Sequence, residues 1–181
     1  TSLAIVGPPG AGKSSLVNLL ARVYDVTGGS IEIDGHDVRT IPLVELRRSL
    51  GYVPQENFLF SLSIRENVGF GAPELTEQQM LDALEISQLS GDVVDFPAGV
   101  ETMIGERGVT LSGGQKQRAG IARAIAKGPL ILILDDSLYS VDTHTEAAIL
   151  RGLRGVMEGR TSIVIAHRIS TLPPFDPIVV L

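Results

Sequence analysis

A glycine-rich loop set between an apolar run and a helical pattern constrains this chain more than any other feature. The run Gly7-Pro8-Pro9-Gly10-Ala11-Gly12-Lys13-Ser14 fits the pattern G-x-x-x-x-G-K-[ST]. Ser2 to Val6 before it predicts a short strand, and Leu16, Val17, Leu20 and Val23 after it share one helical face. In that order of strand, loop and helix, glycines let backbone N–H groups turn inward around phosphate oxygens, helped by the positive end of the helix. Gly7, Pro8, Pro9, Gly10, Ala11, Gly12, Lys13, Ser14 and Ser15 are the expected phosphate-binding residues. Lys13 is placed to reach the terminal phosphates of a nucleoside triphosphate, and the Ser14 hydroxyl to bind Mg²⁺.

The rest of the chain is consistent with an α/β fold. Ile31-Glu32-Ile33 meets Asp34-Gly35, a hairpin-turn signal. Leu43, Leu46 and Leu50 are spaced for one helix face, with Gly51 expected as its C-terminal cap. Thr76 with Gln79, and Ser112 with Gln115, form capping boxes ahead of apolar helical patterns, and Lys127-Gly128-Pro129 closes the second helix. Leu130 to Leu134 and Ser162 to Ile165 are continuous apolar runs, as in parallel strands covered on both faces. Between them, Thr143 and Glu146 are expected to cap a helix bearing Ile149, Leu153 and Val156.

Composition excludes several function classes. The 181 residues carry a net charge of −6, which argues against a nucleic-acid-binding surface, and they include no cysteine for disulfides or thiolate metal sites. No stretch approaches the roughly 18 uninterrupted apolar residues of a membrane span. Any membrane connection is expected to come through a partner or through sequence outside the chain.

Three further places carry chemistry. Asp135 ends a buried apolar strand and, judged alone, suits either a turn cap or the second metal-side ligand of a phosphate-loop enzyme. Ser112-Gly113-Gly114 at a helix start is either a plain N-cap or a second anion site. The third is Leu111-Ser112-Gly113-Gly114-Gln115-Lys116-Gln117-Arg118 as a whole, and on this stretch the chain resembles the ATP-binding cassette (ABC) ATPases along nearly its full length. The resemblance extends to Val53-Pro54-Gln55 as a Q-loop, Ser140-Val141-Asp142 as a D-loop and Ile165-Ala166-His167-Arg168 as a switch-histidine loop. Phe96-Pro97-Ala98-Gly99, the stretch from Thr102 through Glu106 to Gly108, and Ile64-Arg65-Glu66-Asn67-Val68 are similar to segments of ABC exporters.

The resemblance implies a P-loop (RecA-like) core with a parallel sheet over residues 1–55 and 130–181, and an inserted helical subdomain over 56–129, together one nucleotide-binding domain. It implies ATP and Mg²⁺ as cofactors, with Ser14, Gln55 and Asp135 on the metal side and Gln55, Asp136 and His167 in catalytic positions. It also implies head-to-tail pairing with a second such domain. Ser112, Gly113, Gly114, Gln115 and Asp142 would then serve the nucleotide held by the partner. Membrane domains would be met through the Q-loop region and the stretch between Thr102 and Glu106, placing the chain at the cytoplasmic face of the cell membrane. Tyr52 is expected to be packing rather than chemistry.

Three departures from the family pattern stand out. Asp136 occupies the position where the family usually has glutamate, one methylene longer, as in one half of heterodimeric exporters. A paralogous partner is therefore favoured, and a regulatory module that binds ATP with little hydrolysis is the alternative reading. The strand bearing the adenine-stacking aromatic residue is expected upstream of Thr1. The proline-dense stretch from Leu172 to Pro177 disfavours the family's usual short helix, and its C-terminal strands and helix are expected outside the chain. A non-transport relative acting on DNA or in repair is disfavoured, because chromosome-associated members carry long coiled-coil insertions between the two glycine segments, for which this chain has no room.

Overall fold

The computed structural model describes residues 1–105, 109–166 and 177–181. His167, Glu106 and most of the proline-dense stretch lie outside the described residues.

A five-stranded parallel sheet runs through the molecule in the order β4-β5-β6-β1-β7. Its strands are β1 (Ser2–Val6), β4 (Leu50–Val53), β5 (Ile131–Asp135), β6 (Thr161–Ile165) and β7 (Ile178–Val180). Side chains alternate across a strand, so β5 sends Leu132 and Leu134 into one hydrophobic cluster and Ile131 and Ile133 into another. The first cluster is closed by α6 (Gly113–Ala126) and α7 (Thr143–Met157) through Ile121, Ile149 and Leu153. The second is closed by α1 (Lys13–Leu20) and α2 (Leu43–Ser49) through Val17 and Leu46. Both faces are therefore covered, which is why β5 is apolar up to its final aspartate and buried at all five positions.

A third cluster lies away from the sheet. It joins α3 (Ile64–Val68), α4 (Glu77–Ile86) and α5 (Ser90–Asp95) to Ala119 and Ala122 of α6. Helix α6 is thus apolar on two sides, and the small residues Ala119, Gly120, Ala122 and Ala124 let it approach both groups of elements. A capping box starts each of α3, α4 and α6, made by Ser63 with Glu66, Thr76 with Gln79 and Ser112 with Gln115. β2 (Glu32–Ile33) and β3 (His36–Asp37) form the expected hairpin, with Asp34 at φ 51° and Gly35 at φ 80°, the pair of left-handed residues its tight turn needs.

Three expectations are corrected. Helix α2 stops at Ser49, and Leu50 and Gly51 belong to β4. Gly51 is therefore not a helix cap. A Cβ there would lie 2.7 Å from Pro129 Cγ and 2.8 Å from the Ala124 carbonyl oxygen, so its lack of a side chain lets the end of α6 close on the strand. Helix α7 is capped by Asp142, not by Thr143: its carboxylate accepts from the N–H groups of His144 (3.1 Å) and Thr145 (3.0 Å), while Glu146 is buried. Val23 falls past the end of α1, where Arg22 turns at φ 49°, and is exposed. At the edge of the sheet, β7 pairs Ala4 with Ile178 and Val6 with Val180.

Gly51→Ala is expected to destabilise the fold by about 1–3 kcal/mol, the usual cost of overpacking, lowering the melting temperature by about 2–4 °C per kcal/mol. An unchanged midpoint would show that Pro129 yields to the added methyl group.

Candidate functional site

The loop from β1 to α1 is shaped by glycine. Gly10 and Gly12 sit at φ 81° and 94°, and Gly12 caps α1 with no side-chain hydrogen bond and no acidic residue in the first turn. The first N–H groups of a helix have no partner within it, so this end offers donors and a positive dipole to an anion. Lys13 is buried, and its Nζ donates to the carbonyl oxygens of Gly7 (2.8 Å) and Pro8 (2.9 Å), holding the ammonium group against the loop.

Strand β5 delivers Asp135 to the same place. The Ser14 hydroxyl donates to Asp135 Oδ1 at 3.0 Å, joining the start of α1 to the end of the strand. The second oxygen, Oδ2, faces the Tyr52 hydroxyl at 3.3 Å, and that hydroxyl also lies 2.9 Å from Asn18 Oδ1. Burial, and after it the charge of Asp135, push the Tyr52 phenol above its usual range, keeping it a proton donor. Gln55 Nε2 lies 3.5 Å from Asp136 Oδ2, and Asp136 adopts a left-handed backbone at φ 47°. The structure thus gathers Lys13, Ser14, Ser15, Gln55, Asp135 and Asp136 around one cleft of about 280 Å³.

The second glycine segment lines a different cleft, of about 530 Å³, formed with Ser140, Val141 and Asp142. Ser112 Oγ accepts from the Gln115 N–H (3.2 Å), and Gln115 Oε1 accepts from the Ser112 N–H (2.9 Å). Gly114 packs on the following loop so closely that a Cβ would lie 3.1 Å from the Ser140 carbonyl oxygen. Buried Gln117 accepts from the Ser140 N–H at 3.0 Å, tying α6 to that loop. Asp142 lines this cleft while serving as the α7 cap, and the N–H groups of Thr145, then His144, hold its carboxyl below the usual carboxylate range.

The two clefts share no lining residue. His167, expected beside the first, lies outside the described residues. Tyr52 and Asn18 were not among the expected site residues. Asn18 follows Ser14 by one helical turn and so shares its face. Tyr52 is on β4, whose pairing with β5 in the sheet sets it beside the aspartate. No group of three or more His, Cys, Asp or Glu side chains is arranged to hold a metal among the described residues.

The family described as ABC transporter matches residues 1–138. The chain belongs to the ABC transporter family. This ABC domain is 46% identical over 179 residues to an ATP-dependent lipid A-core flippase of Syntrophus aciditrophicus, matching 99% of this chain and 30% of that protein. It is 45% identical over 181 residues to the mitochondrial ATP-binding cassette sub-family B member 10 of Mus musculus, matching 98% of this chain and 25% of that protein. Among solved structures, a bacterial Atm1-family ABC exporter with ATP bound superposes with a TM-score of 0.92 at 43% identity, covering 99% of this chain and 31% of the other. The ABC domain therefore spans less than a third of the length of each of these relatives. Among the described residues, no helix is long and apolar enough to cross a membrane.

Proposed function

We propose that this chain is the nucleotide-binding domain of an ABC exporter, hydrolysing ATP to drive transport through membrane domains. The observation that carries the reading is the separation of the two glycine segments into two clefts on one chain. Each cleft holds only part of the donor set that would enclose a triphosphate. Two domains placed head to tail would complete both. Lys13, Ser14, Gln55, Asp135, Asp136 and His167 would then work at this chain's own site, and Ser112, Gly113, Gly114, Gln115 and Asp142 beside the partner's nucleotide.

The first cleft suits Mg²⁺. Ser14 Oγ and Asp135 Oδ1 are hard oxygen donors 3.0 Å apart beside the phosphate loop, and Mg²⁺ usually takes one or two protein oxygens with phosphate and water. When bound, the ion neutralises charge on the transferring phosphoryl group. Lys13 would hold the terminal phosphates, and Gln55 and Asp136 would orient a water against them. Residues 1–55 and 130–181 would form the core, and 56–129 the helical subdomain that meets the membrane domains through the Gln55 region and the stretch between Thr102 and Glu106. The domain would sit at the cytoplasmic face of the membrane, paired with a paralogue. Gln55 within reach of Asp136 supports hydrolysis over a purely regulatory role.

The test is phosphate release from ATP by the intact protein in lipid vesicles. Release is expected to require Mg²⁺ and to be lost in Ser112→Arg, whose long cationic side chain would block the second cleft. Undiminished release in that variant overturns the head-to-tail arrangement.

Tyr52→Phe isolates the hydroxyl beside Asp135 while keeping the ring. The Mg²⁺ concentration that half-saturates nucleotide binding is expected to rise about fivefold, equivalent to the ~1 kcal/mol of one hydrogen bond. Binding in excess EDTA should stay unchanged. An unmoved Mg²⁺ midpoint would return Tyr52 to packing alone.

A further inference from the structure

Asp92, on α5 and outside both clefts, takes three donors from the start of α6. Gln115 Nε2 donates to its Oδ1 at 2.7 Å and Arg118 Nη2 to the same oxygen at 3.1 Å, while Arg118 Nη1 lies 2.7 Å from its Oδ2. Arg118 Nη1 also donates, at 2.7 Å, to the carbonyl of Gln88, where the chain turns left-handed from α4 toward α5 at φ 59°. The Asp92 and Arg118 side chains are only 20% and 17% exposed. Charged hydrogen bonds at such sites are short, and leaving one partner unmatched is costly.

The other end of Gln115 is also engaged, because its Oε1 accepts from the Ser112 N–H at 2.9 Å. One amide group thus runs as a strut from Asp92 to the cap of α6. Both of its polar atoms are held within its own chain. By helix geometry, the Ser112 hydroxyl and the N–H groups of Gly113 and Gly114 are donors open to an anion in the second cleft, which Arg118 also lines.

We propose that Asp92 is a positioning residue for the second cleft: acting through Gln115, it holds Ser112, Gly113 and Gly114 in the orientation that receives the partner's nucleotide. Gln115 is then a strut and not a direct ligand, and the corner between α4 and α5 becomes part of the machinery of the partner's site. The inference rests on the proposed head-to-tail reading. A carboxylate acceptor fixes the Gln115 amide so that Oε1 faces Ser112, and Arg118 fixes the carboxylate in turn.

The experiment uses the intact protein with its partner and two readouts. Affinity of the chain's own site is measured with a fluorescent ATP analogue, and turnover with saturating Mg·ATP. Asp92→Ala is expected to lower turnover by about tenfold, less than the loss that ~1 Å of misplacement at a reacting centre can cause, with analogue affinity within about twofold. Asp92→Asn keeps an acceptor for Gln115 and should show a smaller loss. Adding Asp92→Ala to Gln115→Ala should give a turnover loss much smaller than the sum of the two single losses, because the two act in one network. A merely structural role would instead lower the melting temperature and the analogue affinity together with turnover. Unchanged turnover in Asp92→Ala, or additive losses in the double variant, overturns the proposal. If Ser112→Arg lowers turnover while Asp92→Ala does not, only this inference fails; if Ser112→Arg has no effect, the head-to-tail reading fails with it.

Discussion

Replacing Lys13 with alanine is expected to weaken ATP binding at the first cleft severely while leaving the fold in place. Lys13 is buried, and its ammonium group is already held at the Gly7 and Pro8 carbonyls, 2.8 and 2.9 Å away, so little ordering remains to be done when a triphosphate enters. Removing one partner of a close, desolvated charge pair costs about 2–5 kcal/mol, roughly 30-fold to 4,000-fold in affinity. The structural cost is smaller, because the substitution removes two hydrogen bonds to carbonyl groups that water can satisfy in an open cleft. Isothermal titration of the intact protein with Mg·ATP measures the first effect, and thermal melting the second. Affinity within threefold of the unchanged protein would remove Lys13 from the phosphate site.

Asp136→Glu should act in the opposite direction and raise turnover at this chain's own site. Strand β5 ends at Asp135, and the backbone turns left-handed at the next residue, with Asp136 Oδ2 at 3.5 Å from Gln55 Nε2. A carboxylate one methylene longer reaches further toward a water in the cleft. Misplacement of about 1 Å at a reacting centre can cost on the order of 10²-fold, so a gain of up to that order is expected. The left-handed backbone opposes it, since aspartate visits that region more readily than glutamate. A loss of stability of less than about 1 kcal/mol is therefore expected alongside the gain, because aspartate is only several-fold enriched in that region. Phosphate release with the partner's phosphate loop inactivated reports this site alone. No gain in rate would mean that the aspartate already serves as well as a glutamate would.

The phosphate loop, the Thr76 and Ser112 capping boxes and the Asp34-Gly35 turn are legible in the sequence because each depends on residues within a few positions of one another. The apolar runs of β5 and β6 are legible because burial on both faces leaves no alternation to misread. The Leu43, Leu46 and Leu50 spacing misleads because Leu46 of a helix and Leu50 of the strand after it enter one cluster, so their spacing imitates a single helical period. Thr143 imitates the α7 cap because Asp142 and Thr143 both suit that position, and only the backbone shows which one precedes the first turn.

By itself, the sequence determined the strand–loop–helix setting of the first glycine segment, the helix start at the second and the α/β alternation, since these follow from residue type and short spacing. The roles of Asp135, Asp136 and the second segment came from the resemblance to the ABC ATPases. The tertiary structure decided that Tyr52 meets Asp135 across 83 positions, that Asp92 meets Gln115 across 23, and that Gly51 makes room for Pro129. It also decided that the two segments line separate clefts. Those contacts join elements through sheet order and helix packing, which local spacing does not encode.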